Sequence, residues 1–127
     1  MTENQMTRVI VDAAFNVHVA LGPGLFESVY EVALAYELKK RGLRVRRQVV
    51  VPIVYDRISF DEGFRADLVV EDKVIVELKS AEELHRSHKK QVLTYLKLTG
   101  MKLGLLINFG EPLIKDGISR IVNGLDE

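Results

Sequence analysis

The chain contains no cysteine, which removes disulfides, thiolate metal sites and a cysteine nucleophile from the chemistry open to it. It carries no net charge either: 18 basic residues balance 18 acidic ones, so no global field draws it onto a polyanion. No window approaches the roughly 18 consecutive apolar residues of a membrane span. The opening stretch Met1 to Arg8 is polar and lacks the apolar core of a signal peptide. A soluble, cytoplasmic protein with no membrane association is expected. Low-complexity tracts, internal repeats and phosphate-cradling glycine motifs are also missing. What remains is 127 residues, 47% of them hydrophobic, which predicts a single domain over 1–127 with one real core.

Between Thr7 and Leu21, Ile10, Ala13, Ala14, Val17, Ala20 and Leu21 recur at three- and four-residue spacing, the stripe of an amphipathic helix. Gly22-Pro23-Gly24 ends it. A second helix is predicted from about Leu25 to Arg41, closed by Gly42 after a cationic last turn. Arg44 to Tyr55 is rich in Val and Ile, and Pro52 within it marks an edge position or a bend. A polar connection is predicted around Asp56 to Gly63, followed by two apolar runs, Phe64 to Val70 and Val74 to Ser80, which form a hairpin. A helix from Ala81 or Glu82 to Leu98 and a buried strand from Met101 to Phe109 complete the pattern. The tail from Ile114 to Leu125 fits a short strand or a helix. The late helix must cross over between strands of a mixed sheet.

Side chains alternate along strands, so the hairpin loop decides which residues meet. With a three-residue loop centred on Asp72, Asp67 lies opposite Glu77 and Arg65 opposite Lys79. One face then reads Arg65, Asp67, Val69, Ile75, Glu77, Lys79, and the other reads Ala66, Leu68, Val70, Val74, Val76, Leu78. A two-residue loop would bury a carboxylate in the core, so the segregation favours three. Two facing carboxylates repel and stay together only around a shared cation or proton. Oxygen-only ligands suit Mg²⁺ or Mn²⁺, and the Lys79 ammonium could orient a water or stabilise charge on a phosphoryl group. A surface salt-bridge ladder of Asp, Glu, Lys and Arg explains the same spacing.

On the following helix, His88, Gln91 and Tyr95 share one face, at i, i+3 and i+7, leaning toward the strand of Glu77. His85 lies about 90° away around the helix. Each of the three has an ordinary structural explanation when taken singly. Glu27, in the first turn of the second helix, suits the helix dipole or a cap. The basic run Lys39, Lys40, Arg41, Arg44, Arg46, Arg47 fits a helix C-terminus and the solvent face of an edge strand.

Ala66-Asp67, Glu77-Leu78-Lys79 and Gln91-Val92-Leu93-Thr94-Tyr95 together resemble the PD-(D/E)XK nuclease superfamily, and through Gln-x-x-x-Tyr its RecB-like branch. Gly24-Leu25-Phe26-Glu27-Ser28-Val29-Tyr30 resembles the signature of that superfamily's GxxExxY family. The likeness runs from about Val9 to Asn123, with Ala66 standing where the superfamily name has Pro. It implies a restriction-endonuclease-like α/β core, a mixed sheet of about four to five strands flanked by helices in the order α-α-β-β-β-α-β. It further implies a Mg²⁺- or Mn²⁺-dependent nuclease acting on nucleic acid, with DNA the expected polymer. Asp67, Glu77 and the Leu78 backbone carbonyl are then the metal ligands, Lys79 the catalytic lysine and Glu27 the first-helix acid. Gln91, Tyr95, His88 and Arg65 would support the site or contact substrate. The alternative is a catalytically reduced module that binds nucleic acid or protein, and a third option is an enzyme acting on a small phosphorylated substrate. So minimal a core suggests a homodimer or a protein partner.

Overall fold

The computed structural model describes residues 1–126. Helix α1 spans Glu3–Leu21, a turn earlier than the apolar stripe indicates. Thr2 sets the start: its hydroxyl accepts from the Gln5 amide at 3.1 Å, while the Gln5 side chain accepts from the Thr2 amide at 2.9 Å. The helix buries Met6, Ile10, Ala13, Ala14 and Val17. Helix α2, Glu27–Lys40, buries Tyr30, Leu34 and Leu38, and with them one acid, Glu31.

Five strands follow, β1 (Val45–Tyr55), β2 (Ile58–Val70), β3 (Val74–Lys79), β4 (Leu103–Asn108) and β5 (Ile118–Val122), joined in that order in one mixed sheet. Only β3 and β4 are parallel, because helix α3 (Arg86–Thr99) crosses over between them. The ambiguous tail resolves into both elements, a 3₁₀ turn at Ile114–Gly117 and then β5. The expected restriction-endonuclease-like arrangement is present. Among the described residues, no helix is long and apolar enough to cross a membrane.

Helices α1 and α2 cover one face of the sheet, packed on Leu68, Val70, Val74, Val76, Leu78, Leu103, Leu105 and Ile107. Helix α3 covers the other with Val92 and Leu96, against Ala66, Val69, Ile75 and Leu106. Those are its only two fully buried side chains. At about 1.5–3 kcal/mol for each buried large apolar side chain, α3 is held far less firmly than α1. Its approach depends on Gly104, where a Cβ would stand 2.6 Å from Val92 Cγ1.

Three expectations need correction. Asp56 to Gly63 is not a connection: Asp56 and Arg57, at φ 51° and 65°, form a two-residue turn, and β2 begins at Ile58. Paired positive φ values give the primed turn that suits a hairpin, here without the usual glycine. A β-bulge between Val51 and Ile53 then absorbs Pro52, and Gly63 is needed opposite it, since a Cβ there would meet the Val51 carbonyl oxygen at 2.2 Å. Second, α3 starts at Arg86, because 81–83 form bends anchored by Asn108, whose side chain bonds both the amide and the carbonyl of Ala81. Third, Ala66 packs under α3, not with Leu68 and Val70 on the α1–α2 face. Both β1 and β2 change faces at Gln48 and Asp67, where Gln48 takes φ 52° and breaks the pleat.

Candidate active site

The hairpin loop has three residues: Val70 pairs with Val74 and Leu68 with Val76. The β2–β3 ladder stops there. In the next position, where Asp67 and Glu77 face each other, carboxylates replace ladder bonds. Asp67 Oδ2 accepts from the Leu78 amide at 2.8 Å, and Glu77 Oε1 accepts from the Asp67 amide at 3.4 Å. A strand residue directs its N–H and C=O to the same edge, so the Leu78 carbonyl also faces the gap beside Asp67.

Glu77 is 8% exposed. Burial pushes its carboxyl up to about 9, helped by the negative charge of Asp67 and a side-chain hydrogen bond with it; the Asp67 amide and Lys79 pull only weakly the other way. At neutral pH without a cation, Glu77 therefore holds a proton. Burial, then Glu77 and Asp67, also raise the Tyr95 phenol. Burial, Lys79 and His85 depress His88, against a weaker pull from Glu27.

These groups line a single cleft of about 220 Å³, whose walls include Glu27, Arg65, Asp67, Glu77, Lys79, His88, Gln91 and Tyr95. Every side chain expected at the site from the sequence reaches it, from four separate elements. A larger cavity, lined by Phe15, His18, Pro112 and Leu113, lies between α1 and the loop before β5 and shares none of these groups. Tyr95 is fixed by Phe64, its ring stacked at 3.4 Å between centroids and 4° from parallel. His85 stays out of the cleft as the residue before α3; its amide donates to His88 Nδ1 at 3.4 Å.

No salt-bridge ladder forms. Among the described residues, no ion pair within 4.0 Å joins Asp67 or Glu77 to Lys79 or Arg65. The basic run, by contrast, is largely neutralised: Arg41 pairs with Asp12 and Glu37, Arg44 with Glu71, Arg46 with Asp72 and Arg47 with Glu31. It forms an exposed face whose four arginines are paired with acids.

Two site residues escaped the sequence. Glu31, 6% exposed, accepts from Arg47 at 2.9 Å and from Gln48, and the same Gln48 amide nitrogen reaches Asp67 Oδ1 at 3.4 Å. The available signal is an acid on the buried stripe of α2, beside Tyr30 and Leu34. Tyr30, by contrast, acts on the chain leading into α2. Stacked on Phe109 at 4.4 Å, it donates to the Gly22 carbonyl at 2.5 Å and accepts from the Leu25 amide at 3.1 Å. Ser80, donating to the Leu25 carbonyl at 2.6 Å, ties that turn to the end of β3. These three bonds fix the chain entering α2, and so bring Glu27 to the cleft that Lys79 also lines.

Among the described residues, no three His, Cys, Asp or Glu side chains gather at metal-binding spacing. A cation here would rely on two carboxylates, a backbone oxygen and water. Hard, oxygen-only donors of this kind fit a small divalent ion, which would have to displace the proton that burial favours on Glu77.

Residues 4–121 match the profile of the PD-(D/E)XK nuclease superfamily, and the chain belongs to that superfamily. No curated protein and no solved structure matches it.

Proposed function

We propose that this protein is a divalent-metal-dependent nuclease that hydrolyses phosphodiester bonds, with DNA as the polymer, and that it belongs to the GxxExxY group of the RecB-like branch. The observation that carries the proposal is the Asp67–Glu77 pair: two carboxylates crowded in one cleft, one of them buried, bonded to each other's strands where the ladder stops. Asp67, Glu77 and the Leu78 carbonyl would hold Mg²⁺ or Mn²⁺. The ion would polarise the phosphodiester and acidify a water. Lys79, unpaired by either carboxylate, stabilises negative charge as it builds on the phosphoryl oxygens. Glu27 supplies the acid on the α2 side. Tyr95, locked by Phe64, and Gln91, His88 and Arg65 contact the substrate strand. A cytoplasmic location and a second subunit or partner that extends the grip belong to the same proposal.

Calorimetric titration of Mg²⁺ into wild type and Asp67→Ala, alongside cleavage of single- and double-stranded DNA and RNA, tests it. Wild type is expected to bind the ion and cut, and Asp67→Ala to do neither. Absence of both from wild type would rule the nuclease out. Ion binding without polymer cleavage would instead favour the small phosphorylated substrate or the reduced binding module.

A further inference from the structure

The two histidines at the start of α3 are tied together through the backbone. The His88 amide donates to the His85 carbonyl at 3.0 Å, and the His85 amide donates to His88 Nδ1 at 3.4 Å. The second bond holds the His88 ring over the first turn of the helix, where the ring also lines the cleft with Glu27, Lys79 and Gln91.

A backbone N–H can only donate, so Nδ1 must offer a lone pair, and the proton of the neutral ring sits on Nε2. Among the described residues nothing hydrogen-bonds to Nε2. One N–H of fixed tautomer is therefore free for a ligand in the cleft. Protonation would place a second hydrogen on Nδ1, facing the His85 amide, and break the tie. Burial, the Lys79 ammonium and His85 also resist it, against a weaker pull from Glu27. In the neutral ring Nε2 has no lone pair with which to take a proton from water, and the ring is too weak an acid to release one.

We infer that His88 is neither base nor acid but an uncharged hydrogen-bond donor, its Nε2–H directed at a non-bridging oxygen of the phosphodiester in the cleft. The substrate in this assignment rests on the nuclease reading; the tautomer does not. An uncharged donor suits the position for an electrostatic reason. Lys79 already brings a cation to the cleft, and a second one would repel both it and an incoming divalent ion. An N–H dipole stabilises charge building on the phosphoryl oxygen without that cost.

Three substitutions separate donor, proton carrier and helix cap. His88→Gln places a neutral N–H near the position of Nε2 and cannot exchange a proton. His88→Asn keeps an acceptor near Nδ1 for the His85 amide but falls short of Nε2. His88→Ala supplies neither. In cleavage of single- and double-stranded DNA with Mg²⁺ or Mn²⁺, His88→Ala and His88→Asn should each lower kcat about 100-fold, as for loss of one such donor, whereas His88→Gln should recover to within about tenfold of wild type. Thermal melts confirm that each variant folds. A two-bond proton–nitrogen correlation spectrum of the metal-free protein, assigned against His88→Ala, should show the ring proton on Nε2 at pH 7.

His88→Gln as impaired as His88→Ala would mean that the ring transfers a proton, and recovery by His88→Asn alone would mean that it only caps α3. A proton on Nδ1, or on both nitrogens, would remove the donor. Each of these overturns the inference while wild-type cleavage, and with it the nuclease reading, stands. The expected tautomer in a wild type that cuts no polymer would instead sink the nuclease reading, and the phosphodiester as the partner of His88 with it.

Discussion

The side-chain amide of Gln48 stands between Glu31 and Asp67, donating to Glu31 Oε1 and, at 3.4 Å, to Asp67 Oδ1. Glu31 is itself neutralised by Arg47, so a buried acid on α2 orients an amide that in turn orients a carboxylate of the cleft. Gln48 does this from a backbone φ of 52°, a conformation costing a side-chain-bearing residue about 1 kcal/mol or more. Gln48→Gly should therefore lose the amide while relieving the backbone, leaving stability within about 1 kcal/mol of wild type. Metal affinity and cleavage should nonetheless fall about 10- to 100-fold, as for other residues that hold a ligand in place. Calorimetry and urea denaturation on the same sample decide the matter: unchanged metal affinity would reduce Gln48 to a packing role.

Glu77 gives the metal-free protein a particular pH dependence. Its folded carboxyl titrates near 9, whereas in the unfolded chain it titrates near the ordinary value of 4.5. Between those limits the folded state binds one more proton than the unfolded state, so stability is full below about pH 4.5 and falls as pH rises toward 9. One such proton is worth up to about 1.4 kcal/mol per pH unit. Glu77→Gln, which cannot ionise, should flatten this decline and melt at a higher temperature than wild type at pH 8 in EDTA. Equal slopes for the two proteins would mean that Glu77 is ionised in the fold.

The carboxylate pair itself was legible in the sequence because the apolar alternation from Leu68 to Leu78 favours an odd hairpin loop. Its surroundings were less so. Parity counting assumes an unbroken pleat, and the strands change faces at Gln48 and Asp67, which is why Ala66 was assigned to the wrong layer. Nothing in the residue type of Gln48 announces a positive φ. The β1–β2 turn was hidden for a related reason, since Asp56-Arg57 lacks the glycine that normally signals it. Helix α3 was placed too early because Ala81 to Leu84 suit a helix locally, while the Asn108 clamp that prevents one comes from a distant strand.

Tyr30 shows how one signature residue acts without touching the cleft. Tyr30→Phe keeps the stack on Phe109 and removes the bonds to Gly22 and Leu25, leaving the turn before Glu27 loose. A loss of about 0.5–1.5 kcal/mol per bond is expected for these partly buried hydrogen bonds, measured by urea denaturation. Hydrogen exchange should accelerate at Leu25 before it changes in the core of α1. Protection of the Leu25 amide at the wild-type level would show that the turn holds without the phenol.

Gly104 controls how closely α3, with Gln91 and Tyr95, lies on the sheet. A methyl group there would press on Val92 Cγ1 at 2.6 Å, and α3 has few other anchors to resist displacement. Gly104→Ala should cost about 1–3 kcal/mol by overpacking. It should also slow cleavage, because a shift of this helix moves Tyr95 relative to Glu77. Val92→Ala alone opens a cavity and is destabilising as well. Combined, the added and removed methyl groups occupy the same space, so the double variant should recover much of both stability and cleavage rate. Strictly additive losses in the double variant would show that Gly104 and Val92 do not share the contact, and that α3 is positioned by the Phe64–Tyr95 stack instead.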